Sequence, residues 1–342
     1  MTSRVLFACA GALAMAPAAN AAGYGQQPLR RRERPITVRV LAACLNPVMP
    51  DGRRLHETMG WSSPLSLASS FAEGVAQASG GFIRYRVVQW RDVPPQGGTA
   101  GRTVTSADYA QAVRAGSLGV TEPALEPEQL ANSPWVLSRL ERGDIDEVWV
   151  FTGPSTRAPG ARTPGAFCSR AAEGPTAGDR RDVPVMSFSY ERGVAEMLHV
   201  LGHRVERAMS AVYGGWRPDD VRTNWARFAA SYFQSHGVAA VGTCDRPPNA
   251  ERDFDYSSPR VVYSGADDWL SYPQLTGTGK PVSCESWGGP DYHGNYIRWW
   301  LSHLPRVTGQ GADGRLLNWW RYVFEPDRLA EFAPKERSVA RR

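Results

Sequence analysis

Segments with strand and helix patterns alternate along the first half of this chain. Ile36 to Leu41 is rich in β-branched residues, Pro64 to Ala78 has a helical pattern, and Phe82 to Trp90 alternates like a second strand. Asp146 to Thr152 and Val183 to Phe188 add two apolar runs of strand length. Strands that alternate with helices favour a mostly parallel sheet flanked by helices. The sequence therefore predicts an α/β fold.

The segment between the last two strand runs, Gly153 to Asp182, is dense in Gly, Pro, Thr and Arg and predicts a loop. A loop of about 30 residues without structure of its own is often functional. Two helical patterns precede it, over Ser106 to Ala115 and over Glu126 to Arg142. In a parallel sheet this loop would leave the carboxyl end of a strand, where ligands tend to bind.

One stretch, from Ser189 to Ser210, combines a helical period with side chains that can do chemistry. Ser189 has the side chain of an N-cap residue, so the helix is predicted to start there. Apolar residues at helical spacing form one stripe, which predicts a core-facing side: Val194, Met197, Leu198, Leu201, Val205, Ala208 and Met209. Four polar residues lie together on the opposite side: Glu196, His199, His203 and Glu206.

The two histidines of this helix have a spacing that suits a metal. His199 and His203 are four residues apart, which lets two imidazoles of one helix bind one Zn²⁺. The zinc-protease motif HExxH has its general base at the second position, where this chain has Val200. Proton transfer would then fall to Glu196 or Glu206, one turn away on the same side.

Three interpretations of this polar side are open. The first is a site for Zn²⁺ or another divalent cation, with three ligands from the helix: His199, His203 and Glu206. In the same interpretation three residues carry out acid/base catalysis: Glu196, His203 and Glu206. A further ligand would come from another segment, for example His293 or Asp291. The second interpretation is a buried polar network of structural histidines, and the third is a solvated face.

The chain loses its periodicity over residues 237–292, which are rich in Gly, Pro, Ser, Asp and Tyr. This composition predicts an irregular layer packed over the sheet domain. Four cysteines remain after removal of the predicted signal peptide, and an even number in an exported protein predicts two disulfides. Of the three possible pairings the favoured one joins Cys244 to Cys284 within this layer and, by elimination, Cys44 to Cys168. The sequence therefore predicts a disulfide-tied C-terminal layer.

Residues 1–21 have the layout of a secretory signal peptide. Arg4 precedes an apolar run from Val5 to Ala16, and small residues at 19 and 21 suit a signal peptidase. The apolar run is about 12 residues, too short for a membrane span of roughly 20. We therefore expect a secreted or periplasmic protein with no membrane segment after cleavage.

The expected organisation after the signal peptide is a basic linker over residues 22–35, a single α/β domain over 36–333 and a loose charged tail over 334–342. The net charge is +5, but the arginines cluster at the two ends and otherwise alternate with acidic residues. This distribution predicts solubility and argues against nucleic-acid binding. A monomer is expected.

Tryptophan is frequent, with 12 residues in the chain. Several lie beside polar residues or Gly, as in carbohydrate-binding surfaces where an exposed ring stacks on a sugar: Trp61, Trp216, Trp269, Trp287, Trp299, Trp300, Trp319 and Trp320. The last four form two adjacent pairs. Neighbouring side chains of a helix diverge by about 100°, so at most one ring of each pair is expected to face the centre of the fold.

Five segments carry a pattern in this order: DEVWVFTGP, PGAFC, YERGVAEMLHVLGHRVE, PPNAERDFDY and DDWLSYP. With them the chain resembles a group of secreted bacterial and fungal proteins for which no activity is established. The resemblance implies a single integrated domain. In that group the position of His199 is commonly Glu while GHRxE is present, so the resemblance implies functional roles for His203, Arg204 and Glu206 rather than a two-histidine zinc site.

Two hypotheses for the function follow. The first is a hydrolase, metal-dependent or acid/base, that acts on an extracellular polymer, either a peptide or a glycan. The second is a non-catalytic secreted protein that binds carbohydrate or a surface through exposed Trp side chains. The chain has no GxSxG, P-loop or GxGxxG motif, which argues against serine α/β-hydrolases and nucleotide enzymes. Whether the chain is an enzyme stays open at this point.

Overall fold

The structure is a computed structural model that describes these parts of the chain: residues 33–94, 105–115, 133–153, 166–170, 182–215, 217 and 220–325. The side chains of 166–170, 182 and 183 are not part of this description. The predicted signal peptide and tail, most of the predicted linker and most of the loop predicted over 153–182 lie outside the described residues.

A five-stranded sheet forms the centre of the fold. Its strands are β1 (Ile36–Cys44), β2 (Ile83–Asp92), β3 (Glu147–Thr152), β4 (Ala166–Arg170) and β5 (Asp182–Ser189). Their spatial order is β2-β1-β3-β5-β4. The first four in this order pair in parallel, and β4 pairs antiparallel with β5 at the edge. The predicted mostly parallel sheet is confirmed, and β4 adds a strand within a segment predicted as a loop.

Helices flank the sheet, which confirms the α/β class. Their bounds are α1 (Leu55–Met59), α2 (Pro64–Ala78), α3 (Ser106–Ala115), α4 (Pro134–Glu141), α5 (Gly193–Tyr213), α6 (Asn224–Phe228), α7 (Tyr292–Ser302) and α8 (Trp320–Phe324). The long helix α5 starts at Gly193, not at the predicted N-cap Ser189. Ser189 instead ends β5, where it pairs with Thr152 of β3, because continuation of the parallel ladder satisfies its backbone.

Among the described residues, those that follow α6 form an irregular layer with two small two-stranded sheets, interrupted by α7 and α8. The first joins β6 (Val262–Ser264) to β7 (Lys280–Val282), and the second joins β8 (Arg306–Gln310) to β9 (Leu316–Asn318). Short 3₁₀ turns and bends make up most of the remainder between α6 and α7. No helix among the described residues combines the length and the apolar composition that a membrane crossing requires.

The main core lies between the sheet and the helices that cover one of its faces. Trp149 of β3 is fully buried, and its ring centroid lies 5.2 Å from that of Phe71 in α2 and 6.0 Å from that of Phe188 in β5. The predicted apolar stripe of α5 is buried, except for Val194, which is partly buried. The core-facing side of this helix is therefore as predicted.

A buried ion pair joins α5 to the sheet. Arg204 donates through Nη1 to Oε2 of Glu147 over 2.7 Å and through Nη2 to the carbonyl of Val323 in α8 over 2.9 Å. The Glu147 and Arg204 side chains are only 1% and 11% exposed. Oε1 of Glu147 accepts a hydrogen bond from Nε1 of Trp149 and another from the Tyr85 hydroxyl. Arg204 thus faces the core and has a structural contact network, away from the side that carries His203.

The C-terminal layer is not tied by disulfides, so that part of the prediction is wrong. Cys44, Cys244 and Cys284 are buried free thiols, which rules out both predicted pairings, Cys244 with Cys284 and Cys44 with Cys168. Cys244 packs against α5 instead, with Sγ 3.4 Å from Nδ1 of His203. Hydrogen bonds hold the layer together, for example from Nε1 of Trp287 to the carbonyl of Tyr256.

Both rings of each Trp pair are buried: Trp299, Trp300, Trp319 and Trp320. Trp299 packs against Trp287, and Trp319 packs against Trp269, so residues of the irregular layer help to bury these pairs. Trp269 and Trp287 are buried as well, and Trp216 lies outside the described residues. Among the described residues the large exposed aromatic side chains are Tyr232, Phe254 and Tyr263.

Candidate metal centre

The irregular layer approaches α5 most closely at Gly202. A Cβ atom at this position would lie only 2.7 Å from Cβ of Cys244, so a glycine is required for the contact. The backbone N–H of Cys244 donates to Oε1 of Glu206 over 2.9 Å, which fastens the layer to the helix. This contact brings the next residue, Asp245, to the histidine side of α5.

Three possible ligand atoms converge where the layer meets the helix. Nε2 of His199 lies 3.0 Å from Nε2 of His203 and 2.9 Å from Oδ1 of Asp245. Oδ1 of Asp245 lies 3.7 Å from Nε2 of His203. Ligand atoms around a tetrahedral Zn²⁺ at Zn–N distances near 2.0–2.1 Å are about 3.3 Å apart. The group formed by His199, His203, Cys244 and Asp245 could therefore hold a metal ion, with its ligand atoms all within 4.8 Å of one another.

Within this group, Asp245 has a side-chain oxygen that lacks a hydrogen-bond partner in the part of the chain that the structure describes. Its Oδ1 atom is buried and accepts no hydrogen bond from a described residue, although Nε2 of His199 lies 2.9 Å away. A buried carboxylate oxygen without a partner is costly. Burial raises the pKa of Asp245, but His199 and the nearby imidazoles lower it by more, so the pKa lies below its usual value. The Asp245 carboxylate is thus ionised, and its Oδ1 atom has no hydrogen-bond partner among the described residues.

The Nδ1 atoms of His199 and His203 each have a polar contact with another residue. Nδ1 of His199 lies 2.9 Å from Nε2 of His293 and 3.3 Å from the hydroxyl of Tyr256. Nδ1 of His203 lies 3.4 Å from Oε2 of Glu206. In metal sites the non-ligating nitrogen of a histidine usually has such an outer partner, which fixes the tautomer and the ring orientation. Both rings here present Nε2 to Asp245.

Electrostatic effects in the cluster follow from these contacts. The hydrogen bond to Glu206 raises the pKa of His203, although burial acts in the opposite direction. Burial, together with the neighbouring His199, lowers the pKa of His293, which favours a neutral ring that can accept the Nδ1–H of His199. Burial also raises the pKa of the Cys244 thiol well above its usual value, so this thiol is protonated at neutral pH in the structure described.

One side of the cluster is open to solvent. His199 is buried, whereas the side chains of His203 and Asp245 are 39% and 30% exposed. The site is therefore neither a fully solvated face nor a sealed network. It has a covered half, lined by His293 and Tyr256, and an accessible half at His203 and Asp245.

Only some of the site residues predicted from the sequence lie together in the structure. The structure brings His199 and His203 together, with Glu206 directly behind His203 and with its two oxygens on Cys244 and His203. Glu196 lies one turn earlier on the same helix and pairs with Nη1 of Arg192 over 2.8 Å. The two residues named as possible further ligands have different contacts. His293 contacts the His199 ring, whereas the Asp291 side chain caps α7 by accepting a hydrogen bond from the backbone N–H of Gly294. These contacts leave the predicted ligand and catalytic roles of Glu206 and Glu196 untested.

The sequence does not predict Cys244 and Asp245 as residues of the site. They lie in a segment without periodicity, where the sequence predicts a disulfide for Cys244. Cys and Asp are both common metal ligands, so the adjacent pair is a signal in the sequence. Cys244 is 38 residues from Glu206, however, and only the folding of the layer brings the pair to the helix.

Comparison with protein-family models finds no match for this chain, and no curated protein matches it either.

Replacing Gly202 with alanine is expected to destabilise the protein by about 1–3 kcal/mol, because the added methyl group must displace Cys244 from the helix. Gly74→Ala in α2 is a matched control, since its Cβ would lie at an ordinary 3.5 Å from Leu198. Urea unfolding of both variants measures the difference. Equal stability of the two variants would show that the contact at Gly202 is not tight.

Proposed function

We propose that this protein is a metal-dependent hydrolase whose metal is held by His199, His203 and Asp245. The observation that carries the proposal is the buried, unpartnered Oδ1 of Asp245, which lies 2.9 Å and 3.7 Å from the two Nε2 atoms. Polar contacts or burial fix the orientation of these three side chains. The convergence of their three atoms favours a bound cation at this point over a network of hydrogen bonds.

Zn²⁺ is the cation that we propose. Two imidazoles and one carboxylate form a ligand set typical of catalytic zinc sites, in which the fourth position belongs to water or substrate. Cys244 is the fourth possible protein ligand, and its Sγ lies 3.4 Å from Nδ1 of His203. Its buried thiol, whose pKa is raised by burial, is a poor ligand without loss of its proton. Together with the exposure of His203, this supports a three-ligand centre with an open position.

A bound Zn²⁺ would lower the pKa of a water molecule and polarise a carbonyl group, which are the two requirements of acyl hydrolysis. We propose that Glu196 accepts the proton of that water. It lies on the same side of α5 as the histidines, and Arg192 holds one of its carboxylate oxygens. We propose a positioning role for Glu206, because its carboxylate orients His203 and fastens the backbone of Cys244.

Export and a polymeric substrate outside the cell are parts of the same proposal, and they rest on the signal-peptide pattern of residues 1–21. The Trp-based binding hypothesis has less support, since the described Trp residues that suggested it are buried or partly buried. A monomer without nucleic-acid partners remains our expectation.

Metal analysis and turnover test the proposal together. The purified protein is expected to hold one Zn²⁺ per chain and to hydrolyse 4-nitrophenyl acetate, with activity lost to a chelator and restored by Zn²⁺. Glu196→Gln is expected to keep the metal but to lower kcat by about 100-fold or more, the usual contribution of a general base. Failure to bind any divalent cation in stoichiometric amount, or activity that survives the chelator, would contradict the proposal.

A further inference from the structure

Phe254 has two features that folding alone does not favour. Its φ angle is +65°, in the left-handed region that a residue with a Cβ atom rarely adopts. Its side chain is also 63% exposed, although Phe is among the most apolar residues. Strained conformations of this kind concentrate at functional sites, where the surrounding structure holds them in place.

The residue that holds Phe254 in place is Asp245. The backbone N–H of Phe254 donates to the carbonyl of Asp245 over 2.7 Å, so the exposed ring is tied directly to a residue of the metal centre. The ring centroid lies 6.2 Å from that of His199 and 6.4 Å from that of Tyr256. The Phe254 ring therefore borders the metal centre and leaves much of its surface free for another molecule.

We infer that Phe254 is a platform on which a sugar ring stacks, and that the substrate of the proposed hydrolase is an acylated glycan. The inference rests on the proposed function for its chemistry. An exposed aromatic ring suits a sugar, which has an apolar face for stacking and a rim of hydroxyl groups for polar contacts. Asp253 and Asp255 flank Phe254 in the chain; Asp253 is exposed and pairs with Arg246, and Asp255 is partly exposed.

The surroundings of the site favour a glycan over a peptide. Enzymes and binding domains commonly hold an extended peptide by pairing it with the free edge of a strand. Between residues 242 and 261, the segment that carries Asp245 and Phe254, the described chain consists of turns and bends and has no strand. A stacked sugar needs no such edge.

The chemistry of the site favours an acyl group as the part of the glycan that is cleaved. Hydrolysis of a glycosidic bond commonly uses two carboxylic groups on either side of the bond, whereas a Zn²⁺ centre acts on a carbonyl. In the proposed step the water oxygen forms a bond to the acyl carbon, and the bond from that carbon to the sugar nitrogen or oxygen breaks. Glu196 takes the proton from the water and returns it to the departing nitrogen or oxygen. The products are a carboxylic acid, which loses the second proton of the water to solvent, and a sugar with a free amino or hydroxyl group.

The test compares glycan binding by three variants of the full chain freed of metal. Phe254→Gly removes the ring and suits φ of +65°, so the variant is expected to fold at least as well as the wild type. Phe254→Trp keeps an aromatic platform. Tyr263→Ala is the matched control, because Tyr263 is a similarly exposed aromatic residue, at 66%, in β6. The probes are hexamers of N-acetylglucosamine and O-acetylated xylo-oligosaccharides, titrated by calorimetry, with a casein digest as the peptide probe.

Phe254→Gly is expected to weaken binding of at least one glycan by about tenfold, while Phe254→Trp and Tyr263→Ala bind like the wild type. With Zn²⁺ restored, acetate release from the same glycan is expected to fall in Phe254→Gly at unchanged zinc content. Absence of glycan binding, equal binding by Phe254→Gly, or binding of the casein digest alone would overturn the inference. The glycan titration uses metal-free protein and does not depend on zinc. If the wild type fails to bind zinc, that result therefore contradicts the proposed function but not the role of Phe254 as a platform.

Discussion

Replacing Asp245 with alanine is expected to lower the affinity for Zn²⁺ by more than about 100-fold. Loss of an outer partner of a ligand usually costs 10–100-fold in metal affinity, and Asp245 is proposed as a ligand itself. In metal-free protein the same change is expected to lower the stability only slightly, because it removes a buried carboxylate oxygen without a hydrogen-bond partner among the described residues but also the negative charge that the neighbouring imidazoles stabilise. Competitive titration with a zinc chelator measures the affinity, and thermal unfolding of metal-free protein measures the stability.

Two further variants separate the ligand sets. Glu206→Gln is expected to lower the affinity by about 10–100-fold, since the amide supports His203 less well. Asp253→Ala is the matched control, because this acidic residue of the same segment pairs with Arg246 and is 51% exposed. If Asp245→Ala binds Zn²⁺ like the wild type while Glu206→Gln does not, the ligand set predicted from the sequence, His199, His203 and Glu206, is right and the proposed one is wrong.

Replacing Arg204 with methionine is expected to destabilise the protein by about 3–5 kcal/mol. The change keeps the length of the side chain but leaves Glu147 charged, buried and without its partner. It also removes the donor to the carbonyl of Val323, so α8 loses a contact with α5. Urea unfolding with an unchanged m-value measures the loss of free energy.

The double variant Glu147→Gln/Arg204→Met is expected to recover part of this loss, since it removes the uncompensated charge and keeps an acceptor for Trp149. Arg53→Met is the control, because the ion pair of Arg53 with Asp51 is exposed and its loss is expected to leave stability unchanged. A single Arg204→Met variant that is as stable as Arg53→Met would show that the ion pair contributes little. Zinc affinity is expected to stay the same in all of these variants, because Arg204 faces away from the histidines.

The fold could be predicted from the sequence because local patterns determine it. The β-branched start of β1, the helical pattern of α2 and the apolar stripe of α5 each show which side of the element is buried. The start of α5 could not be predicted in the same way. Ser189 is a good capping residue, but its pairing with Thr152 in the sheet prevailed over that local preference.

The sequence could predict the two histidines of the candidate site but not the residues that the irregular layer contributes. His199 and His203 share one helix, so their spacing alone places them side by side. Asp245 and Phe254 come from a segment without a period, and their positions depend on how the irregular layer packs around Gly202. Cys244 was misassigned for the same reason, because an even number of cysteines says nothing about the distance between any two of them.

The contact of Asp245 with α5 has a consequence for how the protein would respond to its surroundings. A cation held there would join the sheet domain, through His199 and His203, to a layer that otherwise rests on hydrogen bonds and packing. Binding that needs both parts in place stabilises the closed arrangement in proportion to the logarithm of the free cation concentration. The free zinc concentration would thus regulate how often the layer opens, and with it the resistance of residues 242–261 to proteolysis.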